Sequence, residues 1–292
     1  MRVTSVKPPP FEYFRASNPE EAVAALAAHG GDAKLIAGGQ SLMPMLNFRL
    51  LEPELLIDIS EIGSLKRIEK GSSGRWVIGA GVRHRDILVS EVLGNSYPIL
   101  RAAMTHVAHV AIRNRGTIGG SLAHGDPAAE WPMLALLLDA EIEVLGRSGQ
   151  RMIEAKDFFL GALHTSLSED EIILAIHLPP APVAWGFFET ARRAGDFALA
   201  GAGVLLETQN GKISEARIAL LGLGETPIRV YDAEAKLEGE NLNSTNRAAA
   251  MEAAKAACQP MTDLHASAEF RVHLAGIMTG RSLDAAWGRA IC

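Results

Sequence analysis

The chain is poor in cysteine: 292 residues include only Cys258 and Cys292, and no CxxC pair occurs. Iron–sulfur clusters and cysteine-rich zinc sites need several thiolates at short spacing, so this chain alone builds neither. Two cysteines this far apart read as free thiols in a reducing compartment, not as a disulfide framework. Long apolar runs are also missing. No stretch of about 18 apolar residues occurs, which argues against a helical membrane span. The opening MRVTSVKPPPFEYF carries prolines where a signal peptide needs an apolar core. A cytoplasmic protein is expected. Basic residues fall short of acidic ones, 28 against 34, for a net charge of -6. The short basic groups Arg113-Asn114-Arg115 and Arg192-Arg193 make no patch suited to nucleic acid.

Several familiar motifs are absent. Gly79-Ala80-Gly81 and Gly201-Ala202-Gly203 both lack the third glycine of a GxGxxG turn. The stretch from Gly276 to Ser282 lacks the lysine of a phosphate loop and is one residue short, so it reads as a helix end. His106 and His109 lie three apart, with no HExxH and no third ligand, so no metal site is expected. There is no GxSxG nucleophile elbow.

What remains is a globular chain, 48% hydrophobic, with apolar mass enough for a substantial core. Residues 1–60 read as β-α-β-α-β. Ser17 or Asn18 caps a first helix, Pro19 opens it and Gly30 closes it. Further strands are expected at 76–80, 141–145 and 171–178, with helices at 83–89, 98–112 and 128–138. Pro179, Pro180 and Pro182 break the composition and suggest a boundary. Strands at 185–190, 200–208 and 213–221, then helices at 230–237, 246–258 and 266–279, complete an α+β pattern.

Three segments carry chemistry. In the first, the strand residues Lys34, Leu35, Ile36 and Ala37 run into Gly38, Gly39 and Gln40, and Ser41 and Leu42 open a helix. Glycines let a ligand approach the backbone, and a helix N-terminus offers unpaired N–H groups, which together suit a pyrophosphate. The same turn is equally a tight connection. In the second, Thr117, Ile118, Gly119, Gly120 and Ser121 follow Arg113 to Gly116 in a loop, again pairing glycines with hydroxyls. On its own this is a surface turn as readily as a ligand site. Two such loops around one diphosphate would form a clamp. The third is His124-Gly125-Asp126-Pro127, where Asp126 reads as a helix N-cap with Pro127 at the first helical position, and Glu130 lies four residues on.

In order and spacing, AGGQSL, RNRGTIGGS about 75 residues later, HGDPAAEWP and ARRAGDFALAG resemble the FAD-binding medium subunit of molybdenum hydroxylases, over nearly the whole chain. Carbon monoxide dehydrogenase and the flavin part of xanthine dehydrogenase are of this type. The resemblance implies a PCMH-type FAD-binding fold with two α/β subdomains, plus a C-terminal domain of a three-stranded sheet and helices. That layout corresponds to residues 1–178, divided at about 60/61, and residues 183–292. It implies that the backbone from Leu35 to Leu42 wraps the FAD diphosphate, with Lys34 near the adenosine half, and that Thr117 to Ser121 hold the other side. Glu130 would stand near the ribityl chain with Asp126 close by, Leu167 beside the isoalloxazine, and Phe197 near the flavin ring or else in the core. Relatives often carry histidine where this chain has Gln40, so non-covalent FAD is implied. Some carry lysine near Glu189, where this chain has an acid.

The resemblance further implies an electron-transfer subunit without substrate chemistry of its own. A large subunit would carry molybdopterin and a small one two [2Fe–2S] clusters, assembled as a dimer of heterotrimers, with electrons leaving FAD for an external acceptor. The scarcity of cysteine agrees with that division. The alternative is a stand-alone flavin-dependent oxidase.

Overall fold

A computed structural model describes residues 7–71, 74–182 and 184–291; Cys292 and Val183 lie outside the described residues. The N-terminal layer is a parallel three-stranded sheet. Leu55–Asp58 lies at its centre, flanked by Glu12–Arg15 and Ala33–Ile36. The helix Pro19–His29 starts where the sequence places it, with the Asn18 side chain accepting from the Glu21 amide and Gly30 at the C-cap. Its buried Ala22, Val23 and Leu26 join Leu55 and Ile57 in the first core.

The second layer is an antiparallel five-stranded sheet. Its order is Ile68–Lys70, Trp76–Gly79, Ile172–Leu178, Glu141–Gly146, Gly149–Glu154. The strand Ile172–Leu178 links the two layers. Ile172 and Leu174 pack into the N-terminal core, while Ile173, Ile176 and Leu178 pack into a larger central one. A strand buried on both faces is nearly continuously apolar, as IILAIHL is apart from half-buried His177.

The C-terminal part is an antiparallel meander of Ala184–Thr190, Ala200–Gln209 and Lys212–Leu221. These are the three long strands expected; the two-residue strand Ile228–Arg229 extends the edge. One face of this sheet sends Phe187, Leu205 and Ala219 into the central core. The other face holds Ala202, Val204 and Ile218 against Ala275, Met278 and Leu283 of the helix Ala268–Ala290.

Several element readings are corrected. The helix expected over 98–112 ends at Met104, and Val110–Arg113 forms a separate turn, because Ala108 adopts a left-handed φ of 38° between them. His106 and His109 therefore share no helix face. The stretch Gly276 to Ser282 lies inside the helix Ala268–Ala290, not at its end. Its small residues are packing contacts: Gly276 lies against Lys255 and Gly280 against Arg247 and Met251 of the helix Ser244–Ala256.

Candidate functional site

Between the N-terminal layer and the second sheet lies a cleft of about 860 Å3. Lys34, Leu35, Ala37, Gly38, Gly39, Gln40, Ser41, Leu42, Thr117, Gly119, Gly120, Ser121, Asp126, Glu130, Leu167 and Phe197 all line it. Ile36 and Ile118 do not. The Ile36 side chain packs against Gly39, and Ile118 is fully buried in the central core.

The first glycine segment connects Ala33–Ile36 to the helix Leu42–Asn47. Gly39 turns with φ 71°, a left-handed conformation that favours glycine. Gly38 is required for a different reason. A Cβ there would run into the Arg115 carbonyl and lie 2.9 Å from the Gly116 Cα, so the two glycine segments touch at this point. The Gly38 carbonyl accepts from Gln40 Nε2 at 2.7 Å and Arg115 Nε at 3.4 Å, which fixes the loop. Meanwhile the amides of Gly38, Gly39, Gln40 and Ser41 donate to no protein acceptor among the described residues. Four consecutive unpaired N–H groups beside a helix start form a concave anion-binding surface.

The second segment is not a loop. Thr117 caps a helix Ile118–His124, its hydroxyl accepting from the Gly120 amide at 3.1 Å. The remaining amides are also engaged. Ile118 donates to Val82 at 3.0 Å, Gly119 to Ala80 at 2.8 Å and Ser121 to the Thr117 carbonyl at 3.0 Å. This side therefore offers hydroxyl groups and a helix N-terminus to a ligand, not free backbone N–H groups. The Gly79-Ala80-Gly81 turn, without meaning as a nucleotide motif, anchors the segment through the Ala80 carbonyl.

Asp126 does not cap a helix. Its carboxylate accepts from the Ala128 amide at 2.8 Å and its carbonyl from Ala129 at 3.0 Å, closing a turn that contains Pro127. The helix begins four residues after Asp126, at Glu130. Local side-chain bonding by Asp competes with helix initiation in this way. Glu130 is 9% exposed. Burial, reinforced by the Asp126 charge and opposed by its own backbone amide and by Arg113, pushes its carboxyl up to about 7. Across the junction with the C-terminal sheet, burial and the Glu130 charge push Glu189 up to about 8, and its Oε2 meets no partner among the described residues.

Phe197 is 68% exposed at the edge of the cleft, which excludes the core alternative. It follows Gly195, whose backbone lies against the His109 ring. Leu167 packs partly against the central core while facing the cleft. Sequence reasoning missed His84, Ile112 and Thr165, which also line it, as does His124 of the third segment. His84 could have been found from its place after the Gly79-Ala80-Gly81 turn; Ile112 and Thr165 carry no local signal. Among the described residues, no group of three or more His, Cys, Asp or Glu side chains is placed to hold a metal ion. None of the helices described is long and apolar enough to cross a membrane.

A strand–glycine turn with free amides, hydroxyl-bearing residues of the second segment and a buried acid thus line one cleft, a set of groups suited to a dinucleotide. Comparison with known proteins agrees. Residues 9–181 match the family model described as the FAD binding domain in molybdopterin dehydrogenase, and residues 185–286 the CO dehydrogenase flavoprotein C-terminal domain. The chain is 42% identical to the 6-hydroxypseudooxynicotine dehydrogenase complex subunit alpha of Paenarthrobacter nicotinovorans, covering 98% of this chain and 97% of that one. It is 41% identical to the nicotine 6-hydroxylase medium subunit of the same organism, over 97% and 100% of the two chains. The carbon monoxide dehydrogenase structure from Hydrogenophaga pseudoflava superposes with a TM-score of 0.94 at 40% identity, over 97% and 99%. The chain belongs to the family of FAD-binding medium subunits of the molybdenum hydroxylases, which are oxidoreductase complexes.

Proposed function

We propose that this chain is the flavin relay of a heteromeric molybdenum dehydrogenase or hydroxylase. Electrons reach its FAD from [2Fe–2S] clusters on a small subunit and leave for an external acceptor, while substrate is oxidised at molybdopterin on a large subunit. A dimer of heterotrimers in the cytoplasm, with residues 1–178 as flavin domain and 183–292 as C-terminal domain, is part of the same reading. The observation that carries it is the run of unpaired amides from Gly38 to Ser41 opposite the Thr117 and Ser121 hydroxyls. Such donors suit a diphosphate, and the lining from Lys34 to Leu42 and from Thr117 to Ser121 is read as the site that clamps it.

Bound FAD would supply the redox chemistry. The residues of this chain bind and orient it. Gly38 and Gly39 bring the backbone close, and Lys34 lies further along the same wall. Buried Glu130, its carboxyl pushed up to about 7, offers hydroxyl or carboxylate contacts to the sugar-alcohol chain. Leu167 and Phe197 supply apolar surface for the ring. Gln40, which bonds its own loop, stands where relatives often carry histidine, and this supports non-covalent attachment.

The relay reading is tested by comparing flavin reduction in the complex and in the isolated chain. Organic substrate should bleach the flavin only when the cluster and molybdenum subunits are present. Rapid bleaching in the isolated chain would instead establish a stand-alone oxidase.

A further inference from the structure

His84 opens the helix His84–Val89, is only 5% exposed and lines the cleft. Its Nδ1 lies 3.0 Å from Trp131 Nε1. An indole nitrogen only donates, so Nδ1 must be the unprotonated acceptor and the ring proton resides on Nε2. Adding a second proton would set two N–H groups against each other. Trp131 is itself 1% exposed in the central core and cannot turn aside. Burial and the neighbouring Arg113 charge accordingly push the imidazole down to about 4. The charged group that acts on the ring is Arg113 on its short helical turn.

That leaves an Nε2–H with no acceptor among the described residues, on a nearly buried ring. The nitrogen lies against the second glycine segment: a Cβ on Gly116 would be 3.0 Å from Nε2 and 2.8 Å from Cδ2. Gly116 is also where Gly38 makes contact, so His84 lies beside the junction of the two segments and lines the cleft there. The amides of Ile118 to Ser121 are engaged within the fold, and this wall is short of N–H donors. We infer that His84, locked by Trp131 as the Nε2–H tautomer, is a binding residue that donates to the diphosphate of the dinucleotide held in the cleft. The inference rests on the flavin reading above. Because the ring is neutral, its contribution is a directed hydrogen bond, independent of pH across the physiological range.

The test titrates the flavin-free full chain with FAD and with riboflavin, which lacks the diphosphate. His84→Ala should weaken FAD binding about ten-fold, the scale of one hydrogen bond to a charged group, and leave riboflavin binding unchanged. His84→Gln, which retains an N–H donor, should recover most of the loss. In the wild-type chain, two-bond 1H–15N spectra should show an unprotonated Nδ1 and a protonated Nε2 from pH 5 to 8, with the Nε2–H resonance moving on FAD addition. Equal FAD affinity in wild type and His84→Ala, an equal loss for riboflavin, or an unmoved Nε2–H resonance overturns the inference while leaving the flavin reading intact. Failure of the wild-type chain to bind FAD overturns both. If His84→Ala does not fold, the wild-type spectra still decide.

Discussion

Gly38 has no side chain because the Arg115 carbonyl occupies the space where one would begin. Gly38→Val must separate the two glycine segments, and FAD affinity should fall at least about 100-fold, a larger effect than losing one hydrogen bond, with little change in the far-ultraviolet circular dichroism spectrum. Retained flavin in that variant would show that the segments need not touch. Glu189 poses a different residue-scale problem, a carboxyl with a buried, unpartnered oxygen facing Glu130. Both acids have folded pKa values raised above the ordinary value of 4.5, to about 7 and about 8. The folded state thus holds protons that the unfolded state has released. Stability is greatest below about pH 4.5 as far as these groups are concerned, and their contribution is lost as pH rises through 7 to 8. Glu189→Gln should raise stability at pH 8 by about 1–2 kcal/mol and flatten that slope, measured by urea unfolding across pH. An unchanged slope would mean the pair is not coupled to folding. Gly38 was legible in the sequence as part of a glycine turn, but the reason for it was not. Contact with Arg115, 77 positions away, is a tertiary fact.

At the scale of elements, local chemistry was read well where one signal dominates. Asn18, Pro19 and Gly30 bracket a helix that forms as expected. Readings failed where two signals competed. Asp126 followed by proline looks like a helix start, yet its side chain closes a turn and the helix waits for Glu130. The glycines after Thr117 look like loop, yet the Thr117 cap and bonds to Ala80 and Val82 hold them in a first helical turn. Gly276 and Gly280 look like a helix end, yet they lie where two helices pack. Small residues serve similarly at Gly186, whose Cβ would enter the Ser282 backbone of the helix Ala268–Ala290. Since backbone cannot give way as a flexible side chain does, Gly186→Val should destabilise the chain by about 3 kcal/mol. Its midpoint in urea should drop, with the cleft and Gly38 untouched. A midpoint equal to wild type would show that the helix moves off the sheet at no cost.

For the whole molecule, three cores are joined by shared elements. The strand Ile172–Leu178 serves the first two, and the C-terminal sheet serves the second and third. The cleft lies between the first two layers, where the N-terminal sheet delivers one glycine segment and the helix Ile118–His124 the other. The fold class and both segments were legible in the sequence, the segments only as weak signals until order and spacing joined them. The asymmetry between them was not legible, because it depends on which amides the fold consumes. One segment presents free N–H groups, and the other hydroxyls. The near absence of cysteine fits a chain that holds a flavin and leaves clusters to partners.

On the reading proposed above, these residues hold one FAD without a covalent bond. The most direct measurement is flavin stoichiometry on the purified full chain reconstituted with FAD, followed by acid precipitation. About one FAD per chain is expected, all of it released to the supernatant, as for one non-covalent cofactor site. A chain that retains no flavin, or a precipitate that keeps its flavin, would contradict it.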